Sequence, residues 1–342
     1  MLIPFEEEYK KKYFALLEEV FQAGVLSDGK LLRKFEEKFS QYTNLSSKAI
    51  SNGGAALLAI LEYLDVKGKE VIVPANTFWA TSLAAKQAGA KVVYADCNRN
   101  DLCLSLKSLK KLVTPKTKAV IVVHIGGHIA FEIDVIKDFC SQRNLLLIED
   151  CAHAHGAEFH AKMAGSWGIA GAYSFYATKT MPMGEGGMVV SRDSDLLKWV
   201  ERFRNYGKEV VRGKVEYPVK TGFNYRMSEQ MAAFGIVQLE RLPKILEWKR
   251  LLAEKFDNIF DDRVRFPEGM KSGYYKYIAF CQDLKCKTGK VYDISDQCHR
   301  IEGMEIDLPE SDWVGGNHQC PPIFYGWEYA DKTIGELRSI LL

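Results

Sequence analysis

The reading starts from Ser174-Phe-Tyr-Ala-Thr-Lys179-Thr-Met-Pro-Met-Gly-Glu-Gly-Gly187. The apolar run Gly171-Ala-Tyr-Ser-Phe175 has the look of a strand that delivers one lysine into a turn. A glycine-rich return then leads into Met188-Val-Val190. A lysine set between apolar residues and a Gly-Glu-Gly-Gly turn is poorly placed as a surface charge. Burial disfavours the ammonium form and lowers a lysine pKa, by up to about 3–5 units when complete. A neutral amine is a nucleophile that forms a Schiff base with an aldehyde. The alternative is an ordinary lysine that snorkels to water from a strand end. The stretch by itself leaves both open, and the sequence upstream has to choose.

Upstream, short aliphatic runs alternate with helical patterns. Glu70–Pro74, Lys91–Asp96, Lys118–His124 and Leu145–Asp150 read as strands. Thr81–Gly89 and Ile133–Arg143 read as helices between them. Continuous apolar strands alternating with helices indicate a mostly parallel sheet covered on both faces. In such sheets the chemistry collects at the carboxyl ends of the strands. Asp96, His124 and Asp150 are the polar candidates there. Asp150 follows the most apolar strand and precedes Cys-Ala-His153. A carboxylate at that depth needs a partner, although a helix N-cap is an equally open reading. Phe78 and Trp79 follow another strand end, where an aromatic either packs in the core or stacks on a flat ring.

Ile50-Ser-Asn-Gly53-Gly54-Ala opens a long apolar helix. Helix N-termini carry unpaired N–H groups, and glycines let an anion approach them, so the turn suits a phosphate. An ordinary capped core helix is the competing reading.

The 342 residues, 47% hydrophobic and 26% charged, are those of a globular chain long enough for a large domain with a smaller one attached. A net charge of +2 gives no electrostatic case for nucleic acid. The start lacks the layout of a signal peptide. The most apolar run, Ala119–Phe131, is broken by two His and two Gly, and it is shorter than the ~18 residues of a membrane span. Eight cysteines occur without a Cys-x-x-Cys. Cys97, Cys140 and Cys151 sit in apolar stretches as buried free thiols do, and a reducing, cytoplasmic setting is expected. Cys281, Cys286, Cys298-His299 and His318-x-Cys320 fit no zinc spacing, so no metal is expected.

The first ~45 residues read as two helices parted at Gly24–Gly29, with Phe14, Leu17, Val20 and Phe21 as the buried stripe of the first. A polar loop from Tyr206 to Gly222 leads into Phe223-Asn-Tyr-Arg226-Met-Ser228. Ser228 caps an apolar helix that Pro243 is expected to end or kink. The division is therefore 1–244 for a large domain and 245–342 for a smaller α+β domain, with Tyr274–Phe280 as one of its strands.

In their order, these features resemble the DegT/StrS family of pyridoxal-phosphate-dependent sugar aminotransferases. The resemblance covers roughly residues 20 to 245. It implies an α/β fold of the aspartate aminotransferase type (fold type I), with a seven-stranded mostly parallel sheet flanked by helices. It also implies a homodimer with shared active sites. By the same resemblance, Lys179 is the Schiff-base lysine and proton shuttle, and Asp150 pairs with the pyridine nitrogen. His153 lies near the phenolic oxygen and Phe78 stacks on the ring. Ser174 and the N–H groups of Gly53 and Gly54 hold the phosphate. Asn224 is the phosphate ligand lent by the partner subunit, and Arg226 lies at the substrate mouth. Many members have Thr where this chain has Gly54, and Thr-Thr where it has Pro182-Met183. Members usually run on beyond the position of Leu342 through further small-domain elements, so either this domain is abbreviated or the sequence is a piece of a longer one. The activity implied is transfer of an amino group from glutamate or glutamine to a nucleotide-diphosphate-linked keto sugar, in surface-polysaccharide or amino-sugar biosynthesis. Rival readings are a smaller acceptor (a keto-cyclitol or phosphorylated ketose) and a cofactor-binding regulator without turnover. A dehydratase of the same family carries histidine at the lysine position, which Lys179 opposes.

Overall fold

The computed structural model describes residues 4–281, 289–326 and 330–336. Two helices come first, α1 (Glu7–Ala23) and α2 (Lys30–Thr43), followed by β1 (Ser46–Ile50) and α3 (Gly53–Tyr63). Alternation then sets in: β2 (Glu70–Pro74), α4 (Trp79–Gln87), β3 (Lys91–Ala95), α5 (Leu106–Leu112), β4 (Thr117–Val123), α6 (Ile133–Gln142) and β5 (Leu146–Asp150). A small hairpin, β6 (Glu158–Phe159) and β7 (Lys162–Met163), precedes β8 (Ala170–Ser174) and β9 (Gly187–Ser191). Helices α7 (Ser194–Phe203) and α8 (Glu229–Asp257) follow.

Seven of these strands form one sheet in the order β1-β9-β8-β5-β4-β2-β3. The block from β8 to β3 is parallel, while β9 runs antiparallel to both β8 and β1. This is the mostly parallel sheet expected. Its inner strands are buried along their length, as in sheets covered by helices on both faces. α3 is apolar nearly all round, and Leu57, Ile60 and Leu61 are all buried, so it lies in the interior rather than on it. Each such side chain contributes about 1.5–3 kcal/mol of burial. The parallel arrangement turns the carboxyl ends of β2, β4, β5 and β8 to one edge. Asn76–Thr81, His124, Asp150 and Ser174 gather there.

Three expectations need correction. In α1, Phe14 and Phe21 are each 65% exposed, whereas Tyr9 and Val20 are buried. The helix packs on α8 through Tyr13, whose ring centre is 5.0 Å from that of Phe234. The helix is apolar on two adjacent faces, and spacing could not choose between them. Pro243 does not end α8, which runs through it for 29 residues. Burial of Leu242, Ile245 and Leu246 on both sides of the proline outweighs its cost of about 3 kcal/mol. Of Tyr274–Phe280, only Ala279–Phe280 is strand, paired with His318–Gln319.

The expected division after residue 244 falls within α8. The helix feeds the main core up to Leu246. From Trp248 onward it feeds a second core with Leu252, Phe256, Tyr277 and Ile323. Cys97, Cys140 and Cys151 are free and buried, and Cys286 lies outside the described residues. No helix among the described residues is long and apolar enough to cross a membrane.

Candidate active site

The stretch from Ser174 to Gly187 folds as its sequence suggests. β8 ends at Ser174 and β9 begins at Gly187, the two residues being paired across the ladder. The turn between them carries Lys179. Gly187 is required where it stands, because a Cβ there would lie 2.4 Å from the backbone carbonyl of Asn52. That close approach lays the start of β9 against the N-terminus of α3.

Lys179 lines a cleft of about 750 Å³ together with Gly53, Gly54, Phe78, Asp150, His153 and Ser174. Six positions foreseen around the lysine therefore meet it in one place. Burial holds the Lys179 amine below the ordinary lysine pKa, with Lys276 adding to the effect and Tyr275 and Asp150 opposing it. Its Nζ sits 4.9 Å from the centre of the Tyr275 ring.

Asp150 closes the bottom of the cleft and begins no helix, so the N-cap reading falls away. Its Oδ2 accepts from the hydroxyl of Thr81 at 2.8 Å, and its Oδ1 accepts from the N–H of Ala152 at 3.0 Å. His153 stacks on Tyr275, with ring centres 4.1 Å apart at 22°. Burial first, then the charges of Lys179 and Lys276, pushes its pKa well below the ordinary histidine value, so the ring is neutral. Its Nδ1 is buried without a protein partner.

At the opposite end, Asn52 caps α3 by accepting from Ala55 N–H at 2.8 Å. The N–H groups of Gly53 and Gly54, at the first two helical positions, have no intrahelical acceptor. Ser174 Oγ accepts a long bond of 3.4 Å from Tyr176 N–H, which leaves its own proton available. Phe78, 77% exposed, stands over the cleft.

The other two strand-end candidates are structural. Asp96 receives Glu310 N–H, Ser311 N–H and Ser311 O–H, and so starts the helix Pro309–Asn317. His124 accepts Ala130 N–H at Nδ1 and donates from Nε2 to Glu149 at 2.9 Å. Glu149, adjacent to Asp150, also takes the N–H groups of Gly165, Trp167 and Gly168. Asn224 and Arg226 do not line the cleft of their own chain. Asn224 is exposed, and Arg226 donates to Asn205 Oδ1 at 2.6 Å and lies 5.5 Å from the Tyr206 ring centre.

Sequence reasoning missed Thr81, Tyr275, Tyr292 and Asp296, which also line the cleft. Thr81 sits between Ala80 and Ser82 and had no signal that set it apart. The others enter from segments roughly a hundred residues or more beyond Lys179 and carried no local signal.

These residues fit pyridoxal phosphate. His153, neutral and with its Nδ1 left without a protein partner, lines the cleft beside Lys179. Asp150 offers a carboxylate with one donor fixed on each oxygen. The uncapped N–H groups of α3, beside the Ser174 hydroxyl, suit a phosphate dianion.

Residues 7–297 match the family described as the DegT/DnrJ/EryC1/StrS aminotransferase family. The chain is 39% identical over 232 residues to the GDP-perosamine synthase of Vibrio cholerae, covering 67% of this chain and 62% of that protein. It is 32% identical over 259 residues to the dTDP-3-amino-3,4,6-trideoxy-alpha-D-glucose transaminase of Micromonospora megalomicea subsp. nigra, covering 75% and 68%. Among solved structures, the aminotransferase TlmJ from Streptoalloteichus hindustanus is similar with a TM-score of 0.89 at 26% identity, covering 99% of this chain and 97% of that one. The chain thus spans less than two thirds of the length of the Vibrio cholerae relative.

Proposed function

This chain belongs to the DegT/DnrJ/EryC1/StrS aminotransferase family, and from that premise we propose that it is a pyridoxal-phosphate-dependent aminotransferase. It moves the amino group of glutamate or glutamine to a keto sugar carried on a nucleoside diphosphate. The observation that carries the reading is the convergence of Lys179, Asp150, His153, Ser174 and the start of α3 on one cleft. The names of the relatives, a GDP-sugar synthase and a dTDP-sugar transaminase, support the acceptor class. They also support a place in amino-sugar or polysaccharide biosynthesis.

When bound, pyridoxal phosphate supplies an aldehyde that condenses with amines and a ring that draws electrons from the adjoining carbon. The protein supplies the rest. Lys179, its amine pKa lowered by burial, offers Nζ first as the anchoring amine and then as the atom that holds the proton removed from the donor's α-carbon. Asp150 would set its carboxylate against the ring nitrogen. His153, neutral, would meet the cofactor without adding charge. Ser174 and the Gly53 and Gly54 N–H groups would hold the phosphate, and Phe78 would shield the ring from water.

Asn224 and Arg226 serve the site of a second copy. The exposed run of Tyr206, Phe223 and Asn224, with the hairpin Glu209–Glu216, reaches across a two-fold axis. The segment after residue 244 is the smaller unit whose Tyr275, Tyr292 and Asp296 form the second wall of the cleft. The seven free cysteines among the described residues support a cytoplasmic setting.

The test is amino transfer from glutamate and from glutamine to a panel of nucleotide-linked keto sugars, keto-cyclitols and phosphorylated ketoses. Product on the nucleotide-linked sugars supports the assignment. Product confined to the smaller ketones moves the acceptor class, and cofactor binding without any product makes the chain a regulator.

A further inference from the structure

The hydroxyls of Thr77 and Thr81 form a short chain that ends on Asp150. Thr81 Oγ1 is 2.8 Å from Asp150 Oδ2, and Thr77 Oγ1 is 3.0 Å from Thr81 Oγ1. Thr77 and Thr81 are only 3% and 1% exposed, so water does not substitute for either bond.

The direction of the chain follows from proton counting. A carboxylate has no proton to give, so the Thr81 hydroxyl donates to it. Having spent its proton, Thr81 can only accept from Thr77. The other carboxylate oxygen is held by the Ala152 N–H at 3.0 Å. With one donor fixed on each oxygen the carboxylate cannot turn, and its remaining lone pairs face the cleft that Asp150 lines.

Helix α4 forgoes something for this arrangement. Threonine at a helix start ordinarily caps a backbone N–H or bonds back to a carbonyl one turn earlier. Here the N-cap residue is Phe78, with no side-chain cap. Of the two hydroxyls on either side of it, Thr77 is bonded to Thr81 and Thr81 to Asp150 instead. Packing alone would be met as well by valine at both places.

We propose that Thr81, oriented by Thr77, is a positioning residue that holds the Asp150 carboxylate aimed at the cofactor's ring nitrogen. The proposal rests on the assignment of Asp150 to that nitrogen. Lys179 is the charged group that faces Asp150 across the cleft. Hydrogen bonds to charged groups are the strong ones, and an unpartnered buried carboxylate oxygen is costly. Without Thr81 the carboxylate turns away, and the ring nitrogen loses its partner.

The experiment uses the holoenzyme loaded with cofactor labelled with 15N in the ring, in wild type, Thr81→Val, Thr81→Ser and Thr77→Val, with Asp150→Asn as the reference for a nitrogen without its counter-charge. Thr81→Val should lower kcat on the order of 10–100-fold and move the nitrogen signal toward that of Asp150→Asn. Thr81→Ser should restore both, and Thr77→Val should fall between. A wild-type nitrogen signal in Thr81→Val overturns the proposal, as does a loss of kcat that serine fails to recover. Should Thr81→Val not fold, Thr77→Val carries the same readings at smaller amplitude. A wild-type protein that takes up no cofactor contradicts the functional assignment instead. Crystal structures of cofactor-free wild type and Thr77→Val then decide the positioning claim, a rotated Asp150 carboxylate upholding it and an unmoved one overturning it.

Discussion

Gly53 and Ser174 touch so closely that a Cβ on the glycine would lie 2.7 Å from the Cβ of the serine. The serine sits at a strand end inside the sheet and cannot give way. Gly53→Ala should therefore displace the start of α3 from the serine hydroxyl and weaken cofactor binding by about tenfold or more, since each lost hydrogen bond to a charged phosphate is worth about 1.5–3 kcal/mol. Gly54 is different, because a Cβ there meets nothing nearer than 3.4 Å. Gly54→Thr, which restores the residue many relatives carry, should bind the cofactor at least as tightly as wild type. Cofactor titrations followed by intrinsic fluorescence check both. Equal affinities for Gly53→Ala and wild type would remove this contact from the account.

The amine of Lys179 is held below the ordinary lysine pKa chiefly by burial. A lowered pKa means that neutral, reactive amine is present at a lower pH than on an exposed lysine. In cofactor-free protein, the modification rate of Lys179 by a small amine-reactive probe should reach half its plateau below pH 10.5. Exposed Lys91 serves as the internal comparison. Identical profiles for the two would mean that the cleft does not tune the amine.

His128 and His155 are buried, and burial lowers their pKa values to about 4 and about 3. Unfolded histidine titrates near 6.5, so below that pH the unfolded chain binds protons that the folded chain refuses. Stability is fully present above pH 6.5 and falls as the pH drops through the window down to about 4. The slope is about 1.4 kcal/mol per pH unit for each histidine. Urea midpoints measured at pH 7 and pH 5 should differ strongly in wild type. They should differ less in His155→Leu, whose ring nitrogens have no partners to lose. Equal pH dependence in the two proteins contradicts this origin.

If Asn224 serves the neighbouring site, the defect of one subunit should be repaired by another. Lys179→Ala mixed with Asn224→Asp gives heterodimers in which one site carries both changes and the other carries neither. Activity should rise above both parents, toward half of wild type for each heterodimer. The aspartate is chosen because a carboxylate facing a phosphate repels it. A monomer by light scattering, or no recovery after verified exchange, rules the shared site out.

What the sequence made legible was local. The β8–turn–β9 unit around Lys179 could be read because its strands are continuous apolar runs and its turn is marked by glycines. Asp150 and the α3 start could be read for the same reason. The Thr81–Asp150 bond spans 69 positions, and Tyr275 reaches His153 from beyond a hundred more, so no window of sequence contains either pair. The α1 face and the passage of α8 through Pro243 were misjudged because packing against other elements decides them, and spacing within one element does not record it.

The central claim is that Lys179 carries the cofactor. Incubating the protein with pyridoxal phosphate, reducing with borohydride and mapping the peptides by mass spectrometry tests it most directly. The account predicts a stable pyridoxyl addition on Lys179, none on the neighbouring Lys249 or Lys276, and a Lys179→Arg protein that neither retains the label nor transfers an amino group. Label on another lysine, or transfer at the wild-type rate by Lys179→Arg, would contradict it.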